Sequence, residues 1–461
     1  MTPFWSTERD PTPVNFTVRP LVVAICVMAF CLPAAAQIAM PPESTRGVFG
    51  SGSGATAKTI LDFNASLIEG YDSDVQRALI PTIDPTSLQN GGFSTLLDTG
   101  AMYEWRGKAR LVANVNSVLR HYAELGTTQS VGHRAGIGVS TATGGGWTLF
   151  ANQSAAFSPA YFYGLFPSST PLQPGNPGIT APNYTVPNYT DPVNSFESYS
   201  YTTSMSLTRG IGSRSGVSAA GQFMYTDRVE ETETWSDVSS YSLSTQYSRN
   251  TSRNMGFSTE LRYRSGEFGY RGAGTTTEFG LRGGVDYSRP ISATRQLTLG
   301  MHAGVSGADY PLNAIGSTGF RRRYRTVGDL TLTYPLSQTW SASGSIRRGL
   351  DYEPDLPTPV VNNGATLSLT GLLTPRVDIV VSGGYATGES IVNRDSLFFD
   401  TYTGNARIRY AVNSRFAIFA EYLYYFYDIQ NGALLLPGVP PGLTRNGVRT
   451  GLTLWMPAVR R

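Results

Sequence analysis

Hydrophobic and polar residues alternate one by one along most of the chain after about residue 58. In the segment 297–305, every second position is apolar: Leu297, Leu299, Met301, Ala303 and Val305. The segment 416–426 repeats the pattern with mostly aromatic residues. Because successive side chains of a β-strand point to opposite faces, this period predicts strands with one apolar and one polar face. No stretch of comparable length has a period of 3.6, so we expect essentially no helix here.

Counting the alternating runs between turn residues predicts about 18 strands, with about 16–20 as the range. The predicted strands lie near 60–71, 93–106, 109–122, 130–142, 146–158, 196–208, 214–227, 237–248, 254–265, 275–288, 294–306, 320–334, 339–351, 364–373, 376–387, 398–411, 415–428 and 446–456. Short turns alternate with longer connections, of which 159–195 is the longest and contains eight prolines. This sorting by length is typical of membrane barrels, whereas a soluble β-sandwich has no reason for it.

We therefore predict an all-β fold, a transmembrane antiparallel up-and-down barrel over 58–461 in the bacterial outer membrane. Its short turns face the periplasm and its longer loops, including the proline-rich loop 159–195, lie outside. Aromatic residues gather at both ends of the apolar faces, for example Trp340 at a turn end and Tyr263 at a loop end. Two such rings are what the two membrane interfaces favour. Glu69 departs from the pattern, because its position gives it the outward, lipid-facing side.

The first 36 residues have the order of a secretory signal peptide. Arg9 and Arg19 precede an apolar run from Leu21 to Leu32, and a small-residue site at 34–36 follows. The alternative is a membrane anchor, but the run of 12 residues is short against the roughly 20 that a spanning helix needs. Both cysteines lie inside this segment, so the mature chain has no disulfide and no cysteine-ligated metal. Residues 37–57, rich in small residues, are predicted to form a flexible periplasmic lead-in.

Composition agrees with a membrane barrel. Only 15% of the residues are charged and 40% are hydrophobic, whereas soluble domains carry about 25% charged residues. The net charge of +3 is too small to indicate a nucleic-acid partner. The expected partners are instead outer-membrane lipids and, during biogenesis, the barrel-assembly machinery. The run 449–456 resembles the signal by which that machinery recognises a last strand.

Two short motifs carry a family resemblance. The first predicted strand ends Gly70-Tyr71-Asp72-Ser73-Asp74-Val75, and the last reads Gly451-Leu452-Thr453-Leu454-Trp455-Met456-Pro457. Both motifs, and the strand layout over 58–461, are similar to the outer-membrane barrels of the "beta-barrel porin 2" type. That resemblance implies a porin-like barrel. Because some members of the family are associated with exopolysaccharide export, it also implies a polysaccharide or its export apparatus as a partner.

Neither catalysis nor a cofactor is predicted. The chain has three histidines, His121, His133 and His302, and no neighbourhood in the sequence supplies a clear Ser–His–acid triad. Asp72 and Asp74 are carboxylates in alternate positions near the first loop, which is too few oxygen ligands to indicate a calcium loop. We expect no metal site, no cofactor and no enzymatic activity.

Charged residues on the inward face of the second half form the candidate functional site. The alternation directs nine arginines and five acids inward, a surplus of four positive charges (9 − 5 = 4). The predicted pore-lining set is Arg262, Arg264, Arg282, Arg321, Arg323, Arg325, Arg347, Arg407, Arg409, Glu260, Glu278, Asp286, Asp329 and Asp378. One interpretation is structural, with arginines and carboxylates bracing a wide barrel. The other is a field that favours anions, as in anion-selective pores.

The sequence thus leads to two hypotheses on function. In the first, the barrel is a porin-like channel for diffusion or export of polar solutes, such as anions or saccharides. In the second, it is a structural or surface-interaction barrel with a plugged lumen. Conductance across a planar bilayer separates them.

Overall fold

The structure is a computed structural model that describes residues 57–73, 91–122, 127–158, 198–228, 237–267, 274–292, 295–311, 320–351, 360–391, 398–430 and 442–460. The predicted signal peptide (1–36), the lead-in (37–57) except its last residue, and the proline-rich loop (159–195) lie outside this part of the chain. The candidate site residues lie inside it.

Eighteen strands account for nearly all of the described chain. They are β1 (Thr59–Asp72), β2 (Gly92–Arg106), β3 (Ala109–Tyr122), β4 (Thr127–Thr143), β5 (Trp147–Ser158), β6 (Ser198–Ile211), β7 (Ser215–Arg228), β8 (Val238–Asn250), β9 (Met255–Glu267), β10 (Thr275–Ser292), β11 (Arg295–Pro311), β12 (Phe320–Pro335), β13 (Trp340–Asp351), β14 (Val360–Thr374), β15 (Val377–Ser390), β16 (Phe398–Ala411), β17 (Phe416–Gln430) and β18 (Gly442–Arg460). The predicted number and order of strands are confirmed. No described segment is a helix that is long and apolar enough to cross a membrane.

The sheet closes on itself. Each strand pairs antiparallel with its neighbours in sequence, and β1 also pairs with β18, with Leu67 opposite Leu452. Closure leaves no strand edge with unpaired backbone groups, which is the condition for a sheet to cross hydrocarbon. The ladder is regular except at a few bulges, one of them at Leu61 and Asp62 beside β18.

The connections between strands are short at one end of the barrel and mostly longer at the other. The even-numbered connections are tight turns such as 144–146 and 212–214, where Gly145 (φ 80°), Gly146 (φ 77°) and Gly212 (φ 68°) adopt the left-handed conformation that glycine accepts without strain. The odd-numbered connections are longer, except 123–126 between β3 and β4, which is as short as a turn. We call the two ends of the barrel the turn end and the loop end.

The outer surface is apolar. Register places Leu67, Leu97 and Leu119 side by side on one face of β1, β2 and β3, with 50%, 42% and 39% of each residue exposed. Rings meet along the loop end, as between Tyr263 and Phe279, whose centroids are 4.8 Å apart. An apolar band bounded by aromatic rings matches hydrocarbon and its interface. The chain is therefore a membrane-spanning barrel of the bacterial outer-membrane type.

Candidate functional site in the barrel lumen

All fourteen predicted lumen residues lie on the face opposite the exposed leucines. Their register brings several of them directly across from one another: Arg264 opposite Glu278, Arg282 opposite Glu260, Asp329 opposite Arg347, and Asp378 opposite Arg409. The orientation that the alternation predicted is the one in the structure. A role in solute passage is a separate matter and remains a prediction.

A charge network crosses the middle of β9–β12. Arg282 of β10 donates through Nη2 to Glu260 of β9 at 2.5 Å and through Nη1 to Asp329 of β12 at 3.1 Å. His302 of β11 joins the same network, because its Nδ1 lies 3.0 Å from the second oxygen of Asp329. Its Nε2 is 3.6 Å from Asp286. A single arginine thus binds two carboxylates and links β9, β10 and β12.

Glycines allow this network to lie flat against the wall. A Cβ atom on Gly284 would lie 1.9 Å from Cδ2 of His302, and one on Gly304 would lie 2.0 Å from the carbonyl oxygen of Leu281 and 2.9 Å from Cγ of Arg282. A side chain at Gly284 would therefore displace the imidazole, and one at Gly304 would clash with the backbone of β10 and with the stem of Arg282. Gly284 and Gly304 are therefore part of the network, although they carry no polar group.

Ion pairs that are buried from solvent lie near the turn end. Asp378 of β15 and Arg409 of β16 form a buried ion pair, with side chains 1% and 7% exposed. Nε and Nη2 of Arg409 both donate to Oδ2 of Asp378. Near the same end, Glu104 of β2 accepts hydrogen bonds from Nε of Arg106 and Nε of Arg110, both at 2.5 Å. Buried charges of this kind must be paired, because desolvation without a partner is costly.

Arginine predominates near the loop end. Arg321, Arg323 and Arg325 of β12 share the lumen face, opposite Tyr310, Ala308 and Ser306 of β11. The nearby carboxylate of Glu278 accepts the hydroxyl of Ser306 at 2.5 Å. Among the described residues, no carboxylate forms an ion pair with Arg321 or Arg325, and Nε of Arg325 is buried without a hydrogen-bond partner. Positive charge at this end is thus less compensated than in the middle of the barrel.

Several lumen residues were missed by the sequence analysis, which considered only the second half of the barrel. Asp72 of β1 and Arg445 of β18 form a buried pair at the loop end, with Nε of Arg445 2.7 Å from Oδ2. Asp98 of β2 accepts the amide of Asn116 at 2.7 Å. The alternation of β1 and β2 already directs these acids inward. The closed barrel predicts that β1 pairs with β18, but the register that brings Arg445 to Asp72 has no signal in the sequence.

Part of the lumen wall is apolar. Ile68, Leu96 and Val118, from β1, β2 and β3, are buried together under the ring of Phe419 from β17. A second cluster near the loop end consists of Val238, Ala308, Tyr310, Leu350, Val361 and Ile391, none more than 3% exposed. The inward faces of β17 and of these strands therefore fill part of the cross-section with packed side chains.

A serine–histidine pair lies on the lipid-facing side of β3 and β4. The Ser117 hydroxyl lies 2.8 Å from Nδ1 of His133, and the imidazole stacks on Phe157 with centroids 5.9 Å apart. The described part of the chain contains no group of three His, Cys, Asp or Glu side chains that could hold a metal ion.

Comparison with known proteins identifies no family. No protein-family model matches the chain, so the membership suggested by the two short motifs is not confirmed. No curated protein matches it either.

The solved structures similar to this chain include Pseudomonas aeruginosa OpdL, at 9% identity and a TM-score of 0.40, covering 87% of this chain and 99% of that one. Another is P. aeruginosa OccK2 (OpdF) in complex with glucuronate, at 7% identity and a TM-score of 0.42, covering 87% and 98%. A third is the ferric citrate transporter FecA, at 11% and 0.42, covering 85% and 63%. At these values the similarities show neither a shared family nor a shared solute.

Proposed function

We propose that the barrel is an outer-membrane channel for polar solutes, with a preference for anions set near its loop end. The observation that carries the proposal is the placement of Arg321, Arg323 and Arg325 on one lumen face, with Arg321 and Arg325 outside any described ion pair. The charges in the middle of the barrel, by contrast, compensate one another. The proposal includes no catalytic step and no cofactor.

Spacing explains why three such arginines favour an anion. Alternate residues of a strand are about 7 Å apart, so neighbouring guanidinium groups repel by about 0.6 kcal/mol in bulk water and about 2.4 kcal/mol at a dielectric constant of 20. An anion near Arg321 and Arg325 relieves this repulsion, and a cation increases it. Rings of arginine select anions in other pores for the same reason.

The test is ion selectivity in planar bilayers. Replacing Arg321, Arg323 and Arg325 with Gln should move the anion-to-cation permeability ratio toward unity, measured as the reversal potential in a salt gradient. Arg322→Gln is the matched control, because it removes a charge from the same strand on its lipid-facing side. The effect should weaken with added salt, since charges in a wet channel are screened over about 8–10 Å at ordinary ionic strength. Unchanged selectivity in the folded triple variant would assign these arginines to bracing.

The identity of the solute is a finer proposal. Resemblance to barrels associated with exopolysaccharide export suggests a saccharide, and the arginines favour a carboxylated one. Swelling of proteoliposomes in neutral and carboxylated sugars of equal size tests this, with faster swelling expected for the carboxylated sugar. Equal swelling rates in the two sugars would mean that the charge of the solute does not affect its passage.

The second candidate function is a barrel whose lumen is closed and whose role is structural or lies at the cell surface. The packed cluster of Val238, Ala308, Tyr310, Leu350, Val361 and Ile391 near the loop end favours it. Complete absence of conductance in the folded wild-type barrel would support this candidate against the channel.

A further inference from the structure

A groove of about 530 Å³ lies on the lipid-facing side of β8–β12, outside the lumen wall. Its lining includes Leu243, Leu261, Leu281 and Val305, which are 58%, 59%, 53% and 48% exposed. Register places Leu261, Leu281 and Val305 side by side on β9, β10 and β11, and Leu243 of β8 lies one row nearer the loop end, opposite Tyr263. The groove is therefore a continuous apolar surface at the depth of the hydrocarbon.

Aromatic rings border this groove toward the loop end. The next row of residues contains Tyr263, Phe279 and Tyr324, with Gly307 between the last two. A Cβ atom on Gly307 would lie 2.8 Å from Cε1 of Tyr324, so the missing side chain allows the tyrosine ring to lie down over β11. Aromatic residues in this position match the interface between hydrocarbon and headgroups.

A polar depression continues the groove one row further toward the loop end. It is lined by Thr275, Thr277, Asp309 and Arg322. Arg322 binds Asp309 through one edge of its guanidinium, with Nε 2.6 Å from Oδ1 and Nη2 2.5 Å from Oδ2. The arginine side chain nevertheless remains 58% exposed. Asp309 thus fixes the direction of the guanidinium, and the remainder of it faces out beside two hydroxyl groups.

We propose that this surface binds one lipid of the outer leaflet, with an acyl chain in the Leu243–Val305 groove and a phosphate of its headgroup on Arg322. The order along the barrel axis is the order within such a lipid: cation and hydroxyls at the headgroup, aromatic rings at the interface, aliphatic side chains along the hydrocarbon. An exposed guanidinium beside hydroxyl donors suits a phosphate, which takes charge-assisted hydrogen bonds. The site lies outside the lumen wall, and its occupation is independent of transport.

The test measures lipid binding to the purified full-length barrel by native mass spectrometry. The probe is lipid A, and its chemically dephosphorylated form is the matched ligand. The wild type should retain one lipid A per barrel and bind the dephosphorylated form less tightly. Arg322→Gln should weaken lipid A binding by about tenfold, the effect of losing a charge-assisted hydrogen bond at a half-exposed site, and should leave the dephosphorylated form unaffected. Arg289→Gln is the control, because Arg289 is exposed on the same face of β10 at the turn end.

A second variant tests the groove without touching the charge. Leu281→Trp fills the groove and should reduce binding of both lipid forms. Leu367→Trp places the same ring on β14, at a lipid-facing position that is 66% exposed and outside the groove, and should leave binding unchanged. Equal affinity of the wild type for the two lipid forms, or equal effects of the two tryptophans, would overturn the proposal. Either variant suffices if the other fails to fold.

Discussion

The buried pair of Asp378 and Arg409 allows a sharp prediction about stability. Oδ2 of Asp378 accepts both donated hydrogen bonds, with Nε of Arg409 at 2.9 Å. The other oxygen, Oδ1, is buried and has no hydrogen-bond partner in the described part of the chain. The carboxylate therefore depends on Arg409 for the compensation of its charge. Arg409→Gln keeps part of the side-chain volume and one donor but removes that charge.

The expected magnitude follows from burial. Removing one partner of a buried ion pair costs about 3–5 kcal/mol, because the remaining charge is left without compensation. The pair of Arg322 and Asp309 provides the comparison within the same protein, since its arginine is 58% exposed. Solvent screens exposed pairs of this kind, so they contribute little to stability. Arg409→Gln should therefore reduce the free energy of unfolding by about 3 kcal/mol, whereas Arg322→Gln should change it little.

The assay is urea unfolding of the barrel in lipid vesicles, followed by tryptophan fluorescence and by the loss of the compact form in unheated gels. The double variant Asp378→Asn with Arg409→Gln should recover a large part of the loss, because no buried charge remains. A difference below about 1 kcal/mol between the two single variants would refute the reasoning, since it would mean that lumen water solvates Asp378 as well as the bulk does.

Three further predictions concern the network, the topology and the location. Gly284→Ala should lower the free energy of unfolding by about 1–3 kcal/mol through the clash with His302, whereas Gly383→Ala, whose Cβ would meet only a carbonyl oxygen at 3.6 Å, should be tolerated in the same urea assay. On intact cells, a cysteine at Asn313 should react with an impermeant reagent and cysteines at Ser337 and Ser414 should not; the reverse pattern would invert the assigned ends. The mature chain should fractionate with the outer membrane, and a soluble periplasmic monomer would contradict the barrel.

Strand positions were predictable because one face of every strand must be apolar. The first and last residues of the strands were harder to predict, as β14 shows. Its first residues, Val360-Val361-Asn362-Asn363, have no alternation, and the sequence places the start of the strand at 364. In the structure they extend the ladder, with Val360 opposite Asp351 and Ser390. Hydrogen bonding to neighbours on both sides outweighs the local pattern here.

Contacts within the lumen were not predictable in the same way. The alternation of apolar and polar residues predicts that Arg282 faces the lumen. It does not predict which carboxylates bind the arginine, because these lie on β9 and β12 and their positions depend on the register of the strands. A bulge between β3 and β4 shifts the register by one residue beyond Val118, so that Leu119 lies opposite Ser130 instead of Val131. A bulge of one residue changes which side chains meet, and no local pattern announces it.

The two interpretations of the lumen arginines apply to different depths of the same barrel. Near the middle and the turn end, Arg282 and Arg409 bind carboxylates directly, so their loss should reduce stability and leave selectivity unchanged. Near the loop end, Arg321 and Arg325 form no ion pair among the described residues, so their loss should change selectivity without reducing stability. Stability and ion selectivity should therefore be measured on both groups of variants. A bracing arginine should affect only stability, and an arginine that selects anions should affect selectivity.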